Sequence, residues 1–532
     1  MDLHHNRLPP SLASKRLQFS KRTQLILVLL VVFSLAAVLR FFYIDHHSLW
    51  IDEGLTLIRT DGETLDQVIE NLSQTAFDRF QPTYFIGLFF WRQMFGDSET
   101  AIRSFSAVLG LASIGITTLT AVRLFGYRHA LWTAMLLAFS ALHIFYSQDA
   151  RAYTLVMTLA ALQIYYFSPC LEGNKTGSVF RGHLRKHRPT LLFWFFTTIG
   201  IISSVFLFVF TLSLCASHFL VVRGRNPWLR YWYPLFLCAL PGVLYYSTSE
   251  YASQVLEGLR ANFNAALLPN LGYVSSGLLV GLTYIAPTDQ LRGDDKLQVL
   301  LSYWPHLVLL LGVSTILILA IIKQSVQSAK APTSVSQASH FFLYLTLTSL
   351  LFSILFAASV GMPWLPRHSS FMLMGLALLI PSAFCPPHAT GLVDKAMLKR
   401  ASTWAVIGLI VLNLFSIKNY YFNPNHAKDD YRSAAQYITQ NFDRDTRSIM
   451  LWGSTRLLAY YGDRYTVLNW NTKGNEVLEQ VQQLAEGAPK VLIVVNREFF
   501  LQYSVEDKLK PAYRLDDKVS FPYFTIYTFK TE

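Results

Sequence analysis

The chain has 532 residues, of which 52% are hydrophobic and only 15% are charged. A soluble protein carries about a quarter charged residues, and apolar runs of about twenty residues recur here, so the composition excludes an ordinary water-soluble enzyme and predicts a polytopic membrane protein. The net charge of +12 does not predict a nucleic-acid partner, because the basic residues are scattered among short loops between apolar runs.

The first apolar run and its flanks predict the orientation of the chain. Residues 1–23 contain five basic side chains and one acid, which places the N-terminus in the cytoplasm by the positive-inside rule. The first predicted span, about 24–44, then leads to an external segment. Residues 45–100 contain ten acidic side chains and only three arginines.

The apolar piece Pro82–Phe95 decides the topology of everything that follows it. It is about fourteen residues long, opens with proline and contains Arg92, and a helix of that length is too short for a core about 30 Å thick. We predict an interfacial or re-entrant helix within the external loop 45–103. If this piece crossed the membrane, every later loop would change sides.

Ten further spans are predicted after this loop, and every strongly basic loop between them then lies in the cytoplasm. The spans are about 104–122, 130–147, 153–168, a hairpin of two within 190–222, 233–248, 303–322, 340–360, 369–384 and 402–417. Residues 1–419 are thus predicted to form a multi-pass domain of the cell (inner) membrane, with about 11 transmembrane helices plus interfacial helices.

Residues 420–532 contain short amphipathic and apolar pieces typical of a small extracytoplasmic α/β domain. The pattern predicts helices at 429–442 and 475–485, strands at 448–452 and 490–495, and an edge strand at 521–529. Because no glycine loop of the phosphate-binding kind lies among them, we predict no catalytic role for this domain.

Two charged clusters mark the predicted outer face. Asp52 and Glu53 follow the first span, Asp149 and Arg151 follow the third, and Arg367 lies in a later outer loop. Carboxylates at a membrane edge are costly and therefore functional candidates, since a carboxylate can act as a general base and arginines can hold a phosphate. Structural alternatives stay open: the acid pair can cap a helix, Asp149 can pair locally with Arg151, and Arg367 can anchor a span end.

Several short motifs follow one another along nearly the whole chain. They are Trp50-Ile51-Asp52-Glu53, Gln81-Pro82-Thr83-Tyr84 before a helix ending in Phe95-Gly96, Arg103, Tyr146-Ser147-Gln148-Asp149-Ala150-Arg151-Ala152-Tyr153, Pro366-Arg367-His368 and Lys428-Asp429-Asp430-Tyr431-Arg432. Their order and spacing resemble the GT-C membrane glycosyltransferases, and most closely the bacterial mannosyltransferase and aminoarabinose-transferase-like branch (family 39/83-like).

The resemblance implies a GT-C fold that transfers one sugar from a polyprenyl-phosphate donor to an extracytoplasmic lipid, glycan or protein acceptor, with inversion at the anomeric carbon. It implies Asp52 as general base, accompanied by Glu53 and Asp149 as catalytic residues. The implied substrate-binding residues are Gln81, Tyr84, Arg151, Tyr153, Arg367 and His368, with Arg367 as the candidate for the donor phosphate. Relatives often have His-Pro-Pro where this chain has Gln81-Pro82-Thr83, and a divalent metal ion is left open as a cofactor.

Two other functions stay open. A transporter or flippase of envelope glycolipids would need charges along a pathway, whereas the first three predicted spans are nearly free of charge and no inverted repeat is visible. A non-catalytic scaffold for envelope assembly would use the outer domain for binding, and it would not need acids that face the bundle.

Overall fold

Long apolar helices fill most of the structure, and a small mixed sheet follows them in the chain. The computed structural model describes residues 21–74, 82–171, 183–221, 267–287, 290–292, 296–329, 333–360, 364–385, 394–443, 446–462, 466–467, 476–485, 488–498, 501 and 503–531.

The helical part comprises sixteen described α-helices and five short 3-10 turns. The α-helices are α1 Lys21–Phe41, α2 Ile51–Arg59, α3 Leu65–Ser73, α4 Pro82–Phe95, α5 Glu99–Phe125, α6 Tyr127–Ala138, α7 Ala141–Ser147, α8 Tyr153–Phe167, α9 His183–Ser203, α10 Val205–Val221, α11 Leu267–Val280, α12 Lys296–Ser302, α13 Trp304–Ala329, α14 Ser334–Val360, α15 Met372–Leu379 and α16 Asp394–Phe422. The 3-10 turns are Ser168–Leu171, Gln290–Arg292, Pro366–Ser369, Ile380–Ala383 and Pro424–His426.

Within the described residues, six helices are long and apolar enough to cross a bilayer, and a seventh span results if α6 and α7, bent by 59°, are counted as one. Three shorter apolar helices add to them: Pro189–Ser203, Val205–Val221 and Met372–Ala383. Each overlaps a predicted span, and the predicted span at 233–248 lies outside the described residues. The outward faces of α1, α13 and α16 expose rows of large apolar side chains, which a bilayer covers. The chain is a multi-pass membrane protein.

The bend between α6 and α7 is held by a buried arginine from α1. Arg40 donates hydrogen bonds to the carbonyl oxygens of Leu137 (2.8 Å) and Ala138 (3.0 Å), in the last turn of α6. The last carbonyls of a helix lack α-helical partners, and leaving them unpaired in an apolar interior is costly. The Ser140 hydroxyl then accepts a hydrogen bond from the backbone N–H of His143 (3.4 Å) and begins α7. The bend directs the chain to the second charged cluster.

The loop between α1 and α5 begins and ends at the same end of the helix bundle. Arg103, near the start of α5, donates hydrogen bonds to the carbonyl oxygens of Ile44 (3.0 Å) and His47 (2.7 Å), directly after α1. The chain therefore returns to the end of the bundle that it left, and α4, about 21 Å long at 14 residues, does not cross. It lies along α5, where Tyr84 Oη and Ser106 Oγ are hydrogen-bonded at 2.7 Å. The prediction that Pro82–Phe95 is not a span is confirmed.

The C-terminal part is a five-stranded sheet with helices on both faces. Its elements are α17 Tyr431–Asn441, β1 Arg447–Trp452, α18 Thr455–Tyr461, β2 Thr466–Val467, α19 Val477–Leu484, β3 Lys490–Asn496, α20 Val505–Leu509, β4 Tyr513–Phe521 and β5 Phe524–Thr531. The strand order is β2-β1-β3-β5-β4, with β1 parallel to β2 and β3, and β5 antiparallel to β3 and β4. Along β3, Leu492 and Val494 pack under α17 and α18, whereas Val491, Ile493 and Val495 pack against α19 and α20. The predicted α/β class is confirmed.

The prediction of an edge strand at 521–529 is wrong, because most of this segment belongs to a strand inside the sheet. The structure has two strands there, β4 and β5, joined by a two-residue turn at Pro522 and Tyr523. β5 lies between β3 and β4, so the edge strand is β4. Tyr523 has φ +61°, a turn conformation for which glycine or asparagine is the usual residue. Pro522 is the only turn signal in the sequence at this point, and no glycine or asparagine marks a two-residue hairpin turn.

The C-terminal part docks on the loop between α1 and α5 and on the start of α5, in part through polar contacts. Arg432 of α17 pairs with Glu99, and the Tyr461 hydroxyl of α18 donates to the same carboxylate. Arg456 of α18 pairs with Asp61, just beyond α2. The C-terminal part and the loop that carries the acid pair therefore lie at the same end of the bundle.

Candidate active site

A fully buried carboxylate–guanidinium pair forms the base of the site. Arg103 donates from Nε to Glu53 Oε1 (2.8 Å) and from Nη2 to Glu53 Oε2 (2.6 Å). Its remaining N–H groups donate to the carbonyl oxygens of Ile44, His47 and Ser48. All five donors of the guanidinium are thus used, which fixes the loop after α1 against α5.

Glu53 also joins the two charged clusters. Its Oε1 accepts a hydrogen bond from the backbone N–H of Ala150 (2.9 Å), and its Oε2 accepts one from the N–H of Trp50 (3.3 Å) at the start of α2. Burial alone would raise the pKa of Glu53, but the charges of Arg103 and Lys428 lower it overall to about 2. Glu53 therefore fits the helix-capping alternative. Both of its oxygens accept hydrogen bonds from groups that position the loops.

Asp149 of the second cluster lies in the same buried layer. Its Oδ1 accepts a hydrogen bond from Trp50 Nε1 (2.7 Å) and lies 3.4 Å from Lys428 Nζ, while its Oδ2 makes no hydrogen bond to the described residues. Burial raises the pKa of Asp149 above its usual value, with Lys428 opposing the rise and Glu53 adding to it. The prediction that the two clusters share one side is confirmed.

Asp52 lies at the accessible mouth of the site. Its side chain is 22% exposed, and its Oδ2 lies 3.4 Å from Nη1 of Arg367, whose side chain is 38% exposed. Arg151 approaches the same turn of α2, with Nη1 3.4 Å from Thr56 Oγ1 and 3.5 Å from the Asp52 carbonyl oxygen. Because these separations are long for hydrogen bonds, the groups are adjacent without being locked together. Arg367 thus lies beside an acid of the site. A role as an anchor of a span end does not by itself explain this position.

The other predicted binding residues lie at different depths. Tyr153 begins α8, with its ring 4.6 Å from that of Tyr146, and His368 stacks on Phe206 with ring centroids 4.7 Å apart. Arg367 Nε donates to His368 Nε2 at 3.3 Å, which links this residue to the mouth. Tyr84 is fully buried between α4 and α5. Gln81 lies outside the described residues.

Three residues of the C-terminal part enter the site, although the sequence predicted no catalytic role for that part. Lys428 reaches Asp149, and Arg497 Nε donates to Asp429 Oδ1 at 2.9 Å. The Arg497 guanidinium also lies over the Trp50 ring, 5.8 Å from its centroid. Lys428 and Asp429 belonged to a motif that was noted for its resemblance only. The signal for Arg497 is the polar run that directly follows the buried strand β3.

Among the described residues, formal charges divide the site into two layers. The buried layer contains three acids and three bases: Glu53, Asp149, Asp429, Arg103, Lys428 and Arg497. The accessible layer contains one acid, Asp52, beside two bases, Arg151 and Arg367. One positive charge is therefore in excess at the mouth, where an anionic ligand is favoured.

Solved structures with the same fold exist although their sequences differ widely. ArnT from Cupriavidus metallidurans bound to undecaprenyl phosphate aligns with a TM-score of 0.57 and 13% identity over 96% of this chain and 98% of that chain. The apo form of the Archaeoglobus fulgidus oligosaccharyltransferase aligns with a TM-score of 0.52 and 11% identity over 90% of this chain and 70% of that chain. No protein-family model and no curated protein sequence matches this chain.

These likenesses establish the fold. Both proteins are GT-C superfamily members, so the resemblance inferred from the short motifs is confirmed as a shared GT-C architecture over nearly the whole chain. At 11–13% identity the likeness does not carry over substrates or residue roles, which must be argued from this chain's own site.

The described residues do not fit a divalent metal ion. A structure of the Archaeoglobus fulgidus oligosaccharyltransferase was solved in complex with zinc and sulfate, and it aligns with a TM-score of 0.50 and 13% identity over 89% of this chain and 68% of that chain. In the described part of the present chain, no group of three or more His, Cys, Asp or Glu side chains could hold a metal ion. The acids of the site instead contact arginine or lysine. We therefore derive no step through a metal.

Proposed function

We propose that this chain is a membrane glycosyltransferase that moves a sugar from a polyprenyl-phosphate donor to an extracytoplasmic acceptor, with Asp52 as general base. The observation that carries the proposal is the mouth of the site, where a partly exposed carboxylate lies beside Arg367 and Arg151 at one end of a GT-C bundle. The undecaprenyl phosphate named with the ArnT neighbour supports a donor of this class, because its phosphate suits a mouth with excess positive charge.

In the proposed reaction, an acceptor hydroxyl or amine attacks the anomeric carbon as Asp52 removes its proton. The new bond forms at that carbon while the bond from the carbon to the phosphate oxygen breaks on the opposite face, which inverts the configuration. The electron pair leaves with the polyprenyl phosphate, and the guanidinium groups of Arg367 and Arg151 stabilise the added negative charge. The proton ends on the Asp52 carboxyl group, so atoms and charges balance.

The neighbouring acids have supporting roles in this proposal. Glu53 stays ionised because Arg103 saturates it, and it holds the backbone of the second cluster at Ala150. Asp149 holds the Trp50 indole at the start of α2. Both acids are fully buried, whereas Asp52 is accessible from the mouth. The geometry therefore favours Asp52 over its neighbour as the base.

A direct assay supplies the purified protein with candidate polyprenyl-phosphate sugars and acceptors and detects the transferred sugar. Formation of product together with free polyprenyl phosphate supports the proposal. Movement of labelled lipid across proteoliposome membranes without transfer would instead support the transporter or flippase alternative. The charged groups of the described site gather at one end of the bundle, whereas a pathway would need them along its length.

Arg367→Met is expected to weaken the productive binding of the donor by about 10- to 100-fold, because a charge-assisted contact to phosphate contributes about 1.5–3 kcal/mol. The measurement is the KM for the polyprenyl-phosphate sugar. Arg367→Lys should recover part of the loss, since it keeps the charge without the planar fork. Arg514→Met, on the exposed edge strand β4, is the matched control. An unchanged donor KM in Arg367→Met would remove this residue from the phosphate site.

We also propose that the N-terminus is cytoplasmic in the inner membrane, that residues 1–419 form the membrane domain, and that residues 420–532 form the extracytoplasmic domain. In a variant that lacks the four native cysteines, Lys510→Cys should react with an impermeant thiol reagent at the outer face, whereas Arg185→Cys should react only after the inner face is opened. Labelling of residue 185 from outside would reverse the proposed orientation.

A further inference from the structure

Lys428 lies at the point where the chain passes from the helix bundle to the sheet. It follows α16 and the turn Pro424–His426, and its side chain is only 6% exposed. The ammonium lies 3.4 Å from Asp149 Oδ1 and 3.8 Å from Glu53 Oε2, between acids of two different external loops. The ammonium nitrogen also lies 5.1 Å from the centroid of the Phe145 ring. The ammonium also donates to the carbonyl oxygen of Gln148 (3.3 Å), so this buried charge is compensated by two acids and a backbone carbonyl.

The backbone beside Lys428 is tied to the loop that carries Asp52. The Ser48 hydroxyl donates to the carbonyl oxygen of Asp429 (2.5 Å) and accepts from the backbone N–H of Tyr431 (3.0 Å). On the sheet side, Arg497 pairs with the Asp429 carboxylate. The position of Lys428 is therefore determined from both the membrane part and the sheet.

We propose that Lys428 is a positioning residue through which the C-terminal part of the chain completes the catalytic site; this rests on the proposed function. The ammonium neutralises Glu53 and Asp149 where their loops meet, and it holds Asp149 against the Trp50 indole. Asp52 lies in the same first turn of α2 as Glu53, two residues beyond Trp50. Without Lys428, Asp149 loses the charge that opposes its protonation, its hydrogen bond from the Trp50 indole weakens, and Asp52 moves relative to Arg367.

Several charged or titratable groups face Lys428 from the elements packed against it. Glu53, Asp149 and His47 interact with Lys428 directly, and these groups in turn interact with Arg103 of α5 and with Asp52 of α2. Asp429, the next residue in the chain, pairs with Arg497. Among them, Asp149 depends most on the lysine, because burial already favours its protonated form and Lys428 is the neighbouring charge that opposes this. Removal of the ammonium therefore extends protonation of Asp149 to higher pH.

The test compares Lys428→Met, Lys428→Arg and Lys530→Met in the full-length protein. Lys530 is 56% exposed, pairs with Asp516 on the same sheet and serves as the matched control. Lys428→Met should lower kcat/KM by about ten- to a hundredfold at neutral pH, as expected when a reacting group is misplaced. The deficit should be larger at pH 6 than at pH 8, because protonation of Asp149 adds to it in acid. Lys428→Arg should restore most of the rate and the wild-type pH profile.

The outcomes separate this inference from the proposed function. If the wild-type protein transfers no sugar, the proposed function fails. If it does transfer sugar and Lys428→Met keeps wild-type kcat/KM, or loses it equally at all pH values, the inference is overturned. If Lys428→Met does not fold, Lys428→Gln decides on the same criteria, because its side chain is polar but carries no charge. If neither variant folds while Lys530→Met does, Lys428 serves folding alone and the inference is overturned.

Discussion

Asp52→Asn is expected to abolish sugar transfer while the protein remains folded. Asparagine has the shape of aspartate but cannot take the acceptor proton, and loss of a general base costs about 10²–10⁴-fold in rate. The fold should tolerate the change because the Asp52 side chain is partly exposed and its 3.4 Å contact with Arg367 is long. The measurement is kcat/KM with a polyprenyl-phosphate sugar, together with thermal unfolding in detergent.

Asp66→Asn is the matched control for this substitution. Asp66 is an exposed acid in the first turn of α3, within the same external loop, and its amide variant should transfer sugar at the wild-type rate. If Asp52→Asn is folded and equally active, Asp52 is not the base, and the mechanism loses its central group. If both variants lose activity, the loop as a whole is sensitive to charge, and the loss cannot be assigned to proton transfer.

The meeting of the two clusters could be predicted from sequence because it depends on local features. The charge of each loop is read in isolation, and the short length of Pro82–Phe95, its opening proline and Arg92 together argue against a span. Once that segment stays on one side, the alternation of spans brings Asp52 and Asp149 to the same face. The structure agrees, since Trp50 beside Asp52 contacts Asp149 directly.

The division of labour between Asp52 and Glu53 could not be predicted from the sequence. Consecutive residues of a helix point about 100° apart, so one acid of the pair enters the core and the other faces the mouth. Which one is buried depends on how α2 packs against α5, and Arg103 lies 50 residues further along the chain. The sequence offers two adjacent acids with no local mark to separate them.

The contribution of the C-terminal part to the site could not be predicted from the sequence for a similar reason. Lys428 and Asp149 are 279 residues apart, and their contact exists only after the sheet has docked on the first loop. The sequence prediction for this part rested only on the absence of a glycine-rich loop. It did not indicate that its residues could complete a site formed by the bundle.

Arg103→Met is expected to destabilise the protein by about 3–5 kcal/mol, since removing one partner leaves the Glu53 carboxylate buried without compensation. The carbonyl oxygens of Ile44, His47 and Ser48, in the loop after α1, also lose the hydrogen bonds that the guanidinium donates to them. The measurement is thermal unfolding of the detergent-purified protein. Lys530→Met, which breaks the partly exposed pair with Asp516, should change stability by less than about 1 kcal/mol and serves as control.

The pH dependence of stability tests the Glu53–Arg103 pair through the protonation of Glu53. The pKa of Glu53 is lowered from 4.5 to about 2 in the folded protein, so its ionised form contributes stability that is complete above pH 4.5 and is lost as the pH falls towards 2. Glu53→Gln should therefore unfold more easily than the wild type at neutral pH, and the difference should shrink in acid. The double variant Glu53→Gln/Arg103→Met should lose less stability than the sum of the losses in the two single variants, because each substitution removes the same contact. Strict additivity, or a difference in stability that does not depend on pH, would show that Glu53 and Arg103 act independently. The position of the two loops relative to each other would then need another explanation.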